Sequence, residues 1–153
     1  MNENIDLEIT LGDDVTFVLT TIEDLDRATE FSLRKLASKE GMDLLTYITK
    51  NLASLVAAGT VELVDITNCT FVFNVARSYR GDILVSKTSA DGDITLIDPT
   101  NGVAEIVIET ADTAEFLNVD SEYVYDIKMT KPTGKKETIC RGKLRVLAGV
   151  NGE

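Results

Sequence analysis

The sequence predicts a mainly β protein, a small antiparallel sandwich interrupted by an α-helical hairpin over about residues 22–58. Three observations carry that prediction. Apolar and polar residues alternate with period two before residue 20 and again after residue 61. Between those stretches the apolar spacing becomes helical. In the second half, Gly- and Pro-bearing turns separate about six strands at roughly 8–12-residue intervals. The 153 residues read as one domain, with sandwich segments at 3–20 and 61–148.

In chain order, Ile5, Leu7 and Ile9 alternate with Asp6, Glu8 and Thr10. Leu11-Gly12-Asp13-Asp14 is a turn signal before Val15, Phe17 and Leu19 alternate again, as a hairpin or as a strand that changes sheets at Gly12. Thr20 and Glu23 have capping-box spacing, so a first helix is expected from Ile22, ending at Lys39-Glu40-Gly41. Met42, Leu45, Ile48, Leu52, Leu55 and Val56 predict a single second helix stopped by Gly59. The apolar stripe of the helical hairpin is expected to pack against the protein's own sheet rather than to be reserved for a partner. Strands follow around Phe71, Phe73 and Val75, Ile83 and Val85, Ile94 and Leu96, and Ala104, Ile106 and Ile108. The stretch 111–120 is less regular, with room for a helical turn. Tyr123, Tyr125, Ile127 and Met129 form the cleanest alternating strand. A turn at Lys131-Pro132-Thr133-Gly134-Lys135 leads into 137–141, with a bulge expected at Gly142 before Leu144 and Val146.

Composition narrows the function. With no histidine, Ser-His and Cys-His nucleophiles and histidine metal ligands are excluded. The 26 acidic and 15 basic residues leave a net charge of -11, unsuited to a nucleic-acid backbone. Cys69 and Cys140 lack metal-site spacing and read as two buried thiols of a reducing compartment, a bridge between them requiring that their strands neighbour each other. The start, Met1-Asn2-Glu3-Asn4, has no signal-peptide pattern, and no stretch reaches the roughly 20 apolar residues of a membrane span.

No constellation of residues predicts catalysis, a metal or a cofactor. Asp13-Asp14, Asp91-Gly92-Asp93 with Asp98, and Asp112 with Glu115 and Asp120 lack a calcium-loop pattern and read as solvated turn acids. Ser86-Lys87 and Ser38-Lys39 read as solvated surface pairs, because neighbours on a strand point to opposite faces. The informative charges are basic. Arg34, Lys35 and Lys39 gather on the first helix; Lys128, Lys131, Lys135, Lys136, Arg141, Lys143 and Arg145 gather in the last hairpin. Two readings stand for the hairpin: protection of an edge strand, or docking onto an acidic neighbour such as another copy of the chain. Candidate partner-interface residues are Arg34, Lys35, Tyr47, Lys131, Lys135, Lys136 and Arg141.

Asp65-Ile66-Thr67-Asn68-Cys69-Thr70-Phe71-Val72-Phe73-Asn74-Val75-Ala76-Arg77 resembles the strand opening of a family of phage virion proteins. These carry a small immunoglobulin-like sandwich, similar to the N-terminal domain of phage baseplate upper proteins and related tail-adaptor proteins. Leu11-Gly12-Asp13-Asp14-Val15-Thr16-Phe17, Glu122-Tyr123-Val124-Tyr125-Asp126-Ile127-Lys128-Met129-Thr130 and Arg141-Gly142 to Leu144-Arg145-Val146 resemble its other strands. The helical interval departs from the family, where a short hairpin is normal, and Asn68 stands where Gly is usual. The resemblance implies an antiparallel immunoglobulin-like sandwich in a non-enzymatic part of a phage tail, baseplate or neck, assembled in the host cytoplasm. It further implies other virion proteins as partners and a homo-oligomer, ring or trimer, with no direct contact to nucleic acid or membrane. The alternatives are a capsid decoration or head-fibre protein and, in another class, a small acidic module that inhibits a host protein.

Overall fold

The computed structural model describes residues 3–4, 7–10, 14–113 and 122–147. Period-two alternation sorts the strand side chains onto two faces. On β4 (Thr70–Ala76) it buries Phe71, Phe73 and Val75, and on β8 (Glu122–Thr130) Tyr123, Tyr125, Ile127 and Met129. On β9 (Lys136–Leu147) it buries Cys140, Leu144 and Val146. Burial of each large side chain is favourable by about 1.5–3 kcal/mol relative to exposure, which makes this face the main source of stability. These strands form one sheet with β5 (Ile83–Thr88), in the order β9-β8-β4-β5 and antiparallel throughout. Two short strands, β1 (Glu3–Asn4) and β2 (Leu7–Thr10), extend it by pairing with β9 in parallel.

The second sheet is antiparallel and runs β3-β7-β6, formed by Val15–Thr20, Val103–Ile108 and Ile94–Asp98. Ile94, Ala104, Ile106 and Ile108 from this sheet join the inward residues of the first in a single buried cluster. The protein is therefore mainly β, with two sheets on a common core. Because β2 and β3 lie in different sheets, the chain changes sheets between them and does not form a hairpin. The turn residues 11–13 lie outside the described residues.

Three helices occupy the β3–β4 connection: α1 (Arg27–Lys39), α2 (Leu44–Lys50) and α3 (Leu52–Ala57). The expected start at Ile22 is displaced by four residues or more because the capping-box groups are already engaged. Thr20 pairs with Val103 in the sheet, Ile22 bridges Leu63, and the Glu23 N–H donates to the Glu62 carbonyl at 2.8 Å. Asp26 caps α1 instead, accepting from the Thr29 N–H at 2.7 Å, and Asp43 caps α2 through Thr46 at 2.8 Å. The single second helix is broken at Asn51. Its side-chain amide and its backbone N–H both donate to the Tyr47 carbonyl, and its backbone leaves helical geometry at φ -109°, ψ 16°. Gly59 ends the segment at φ +74°, as its position predicts.

The helices bury their stripe in a separate cluster, another departure from expectation. Leu33, Leu44 and Ile48 pack with Ile22 and Val61 of the two stems. This lobe is anchored by a tight joint, in which the Thr21 N–H donates to the Gly102 carbonyl and the Val64 N–H to the Thr21 carbonyl. A fourth, one-turn helix, α4 (Thr110–Thr113), follows β7, while residues 114–121 of the irregular stretch lie outside the described residues. The bulge of β9 falls at Ile139, where the register with β8 shifts between Ile127 and Lys128; Gly142 is in register with Tyr125.

Candidate functional site

The outer face of the larger sheet is basic. Arg141, Lys143 and Arg145 alternate with buried residues on β9, so all three project outward, with Lys128 beside them on β8. Arg77 and Arg80, in the β4–β5 loop, are also exposed. Tyr79 of this loop folds back across the face: its hydroxyl donates to the Gly142 carbonyl at 3.3 Å, and the Arg141 guanidinium lies 6.0 Å from its ring. Lys143 pairs with Glu122 at 3.5 Å and Lys128 with Asp126 at 4.0 Å. Beneath the loop is a cavity of about 200 Å³ lined in part by Asn74 and Asp126. These two stand opposite each other on β4 and β8, and each has a buried Oδ1 without a hydrogen-bond partner among the described residues.

The seven expected interface residues do not form one patch. Arg34 and Lys35 lie exposed on α1, Arg34 bound to Glu30 at 2.8 Å and Lys35 5.2 Å from the Phe31 ring centre. Tyr47 is half-buried against the helical cluster. Lys131 and Lys135 share one carboxylate, Glu137, at 3.4 and 3.0 Å, and Lys136 is exposed beside them. The two cations hold the Glu137 carboxyl below its ordinary range, the Lys135 hydrogen bond contributing most. Edge protection fits Lys136, whose stretch of β9 has β8 alone as a neighbour among the described residues, but not Arg141 or Arg145, which pair with β8 on one side and with β1 or β2 on the other.

Lys87 corrects another expectation. It lies on the inward face of β5 and is 7% exposed, so only Ser86 of that pair is solvated. Its ammonium meets Asp112 of α4 at 2.5 Å and Asp93 of the β5–β6 turn at 3.9 Å. Asp93 and Asp112 are therefore partners of a buried cation rather than solvated turn acids. Asp112 also accepts from the Glu109 N–H at 2.7 Å. The cluster ties β5 of one sheet to the end of β7 in the other. A signal for it exists in the sequence, because Lys87 shares the phase of buried Val85.

Cys69 and Cys140 are both buried and not bonded to each other. Burial pushes the Cys69 thiol up, away from thiolate reactivity. The Cys140 sulfur lies 3.4 Å from the Tyr125 hydroxyl. No group of three His, Cys, Asp or Glu among the described residues is placed to hold a metal ion, and none of their helices is long and apolar enough to cross a membrane. An apolar groove of about 160 Å³ lies between the helical lobe and the sheets, lined by β3, α2 and the β9 bulge. Nothing in the sequence pattern marks this groove, because it arises where separately folded elements meet. No known protein family matches the chain, and neither does any curated protein.

Proposed function

We propose that the chain is a non-enzymatic structural component of a bacteriophage particle, an adaptor of the tail, baseplate or neck on an immunoglobulin-like sandwich. It assembles in the host cytoplasm and resides in the virion beside other virion proteins and further copies of itself. The observation that carries this reading is the strand order. The path β9-β8-β4-β5 facing β3-β7-β6 corresponds to G-F-C-C′ against B-E-D in immunoglobulin lettering, with the helices in the B–C connection. That order supports the resemblance in the strand motifs. The distribution of charge supports an adaptor role: an acidic chain with a basic outer sheet face has unlike surfaces for head-to-tail contacts.

The test is fractionation of particles purified from the source culture. The chain is expected to co-sediment with the particles in fixed ratio to the capsid protein after a high-salt wash. If it stays in the soluble fraction bound to a basic host protein, the reading fails and the inhibitor takes its place.

A further inference from the structure

We propose that the side chains of Lys87 and Asp112 become joined by an amide bond, with Asp93 carrying the proton that the reaction moves. The inference goes beyond the proposed function and does not depend on it, because it concerns the chemistry of one buried cluster.

The cluster brings a nucleophile, an electrophile and a proton carrier together. Lys87 Nζ lies 2.5 Å from Asp112 Oδ2 and 3.9 Å from Asp93 Oδ1. Backbone groups hold both acids in place. Asp112 Oδ2 also accepts from the Glu109 N–H at 2.7 Å. The Asp93 N–H donates to the Thr88 carbonyl and its carbonyl accepts from the Val107 N–H, both at 3.1 Å. Lys87 extends from the inward face of β5, in register with the fully buried Phe73 of β4 and in phase with Val85. Its side chain is 9% exposed, whereas Lys128, Lys131, Lys135 and Lys143 in their own ion pairs are 34–67% exposed. Those four keep a hydrated ammonium, which has no electron pair free to attack a carboxyl group. Lys87 differs from them in being largely shielded from water while touching its acid.

The reaction is a condensation that needs no reagent beyond these groups. The ion pair is the state from which it starts. Lys87 gives a proton to the Asp112 carboxylate, which turns the pair into a neutral amine and a carboxylic acid, forms that cost less to desolvate. The nitrogen lone pair attacks Asp112 Cγ and the carbonyl electron pair moves onto Oδ2, where the Glu109 N–H stabilises the charge. Asp93 takes a proton from the nitrogen and returns it to the Oδ1 hydroxyl, which departs as water while the Oδ2 pair re-forms the carbonyl. Its 3.9 Å contact shortens to a hydrogen bond in this step, as contacts of proton-transfer groups do. One C–N bond forms, one C–O bond breaks, one water leaves and Asp93 ends as it began. Holding amine and acid in contact can supply an effective concentration of about 10⁵–10⁸ M, which offsets the ordinary cost of condensing them in water. The product ties β5 to α4 at the end of β7. It therefore staples one sheet to the other and restricts the unfolded chain as a disulfide would, in a protein whose two thiols are unbonded.

The intact mass of the purified full chain, unfolded in acid, reads the bond directly. The natural chain is expected to be about 18 Da lighter than its sequence requires, one water for one amide formed. Trypsin should then fail to cut after Lys87, and fragmentation should find Lys87 and Asp112 joined. The second readout is needed because Asp91-Gly92 can also lose water, as a cyclic imide, and that product leaves Lys87 open to trypsin. Lys87→Arg keeps the positive charge without an attacking amine and should have its full mass. Asp93→Asn removes the proton carrier and should also have its full mass, with circular dichroism confirming that it folds; Asp93→Ala serves if it does not. A natural chain of full mass, a lost water with Lys87 still cut, or a folded Asp93 variant bonded as completely as the natural chain would each overturn the inference.

Discussion

Lys87 is held by two carboxylates at a point where both sheets end, so its charge is compensated but not cheaply replaced. Replacing it with Met leaves Asp93 and Asp112 facing an apolar neighbour. Both carboxylates retain some access to water, so the cost should fall below that of a fully buried pair, at about 2 kcal/mol in chemical denaturation. A Lys87→Met variant as stable as the natural chain would show that the cluster does not join the sheets. Gly102 is a second sensitive position. Its φ is +75°, and a Cβ there would meet the carbonyl oxygens of Val64 and Thr21 at 2.6 and 2.7 Å. Gly102→Ala is therefore expected to cost about 2–4 kcal/mol, and a silent substitution would contradict the joint described between lobe and sheet. Asn68 has φ 62°, the left-handed conformation most often taken by glycine. The turn role of Gly102 was legible from Pro99 and its neighbours. The close approach of two distant carbonyls was not, because it depends on the third dimension.

At the scale of elements, the helical lobe is a separate unit on a two-strand stem. Ile22 bridges Leu63 and Glu23 bonds Glu62, so the stem resembles the end of a hairpin. Joining Glu23 to Glu62 by Asn-Gly should leave a cooperatively folded β protein, less stable because Ile139 and Cys140 lose part of their cover. Loss of cooperative unfolding would mean that the lobe belongs to the core. The helix caps add a pH signature. Hydrogen bonds from the Thr29 and Thr46 amides hold the Asp26 and Asp43 carboxyls below their ordinary range. Because the folded-state values are lowered, the caps contribute fully above about pH 4 and fade as pH falls through those values. Helical circular dichroism should decline in that acid window, and Asp43→Ala should cost about 1 kcal/mol at neutral pH. A helical signal unchanged through the window would contradict the assignment of the caps. Strands were legible here because alternation is local. The start of α1 and the break at Asn51 were not, since Thr20 is claimed by a strand partner and Asn51 competes for the Tyr47 carbonyl.

For the whole molecule, the two-sheet core and the intervening helices follow from hydrophobic period alone, whereas the interaction surfaces do not. Seven basic or aromatic candidates from the sequence fall on two helices, a turn and a strand. The cations nearest to a single surface, Arg141, Lys143 and Arg145, are united by strand phase, with Tyr79 brought over them by a loop. An excess of acid on the chain and of base on that face makes the molecule polar in charge, as a subunit that docks in one orientation would be. Electron cryo-microscopy of purified particles tests this account most directly. Density for the two-sheet body is expected in symmetric copies at the tail, baseplate or neck, each with its basic sheet face or helical lobe against a neighbour. Particles that lack this density, while the chain remains a soluble monomer in the same cells, would contradict it.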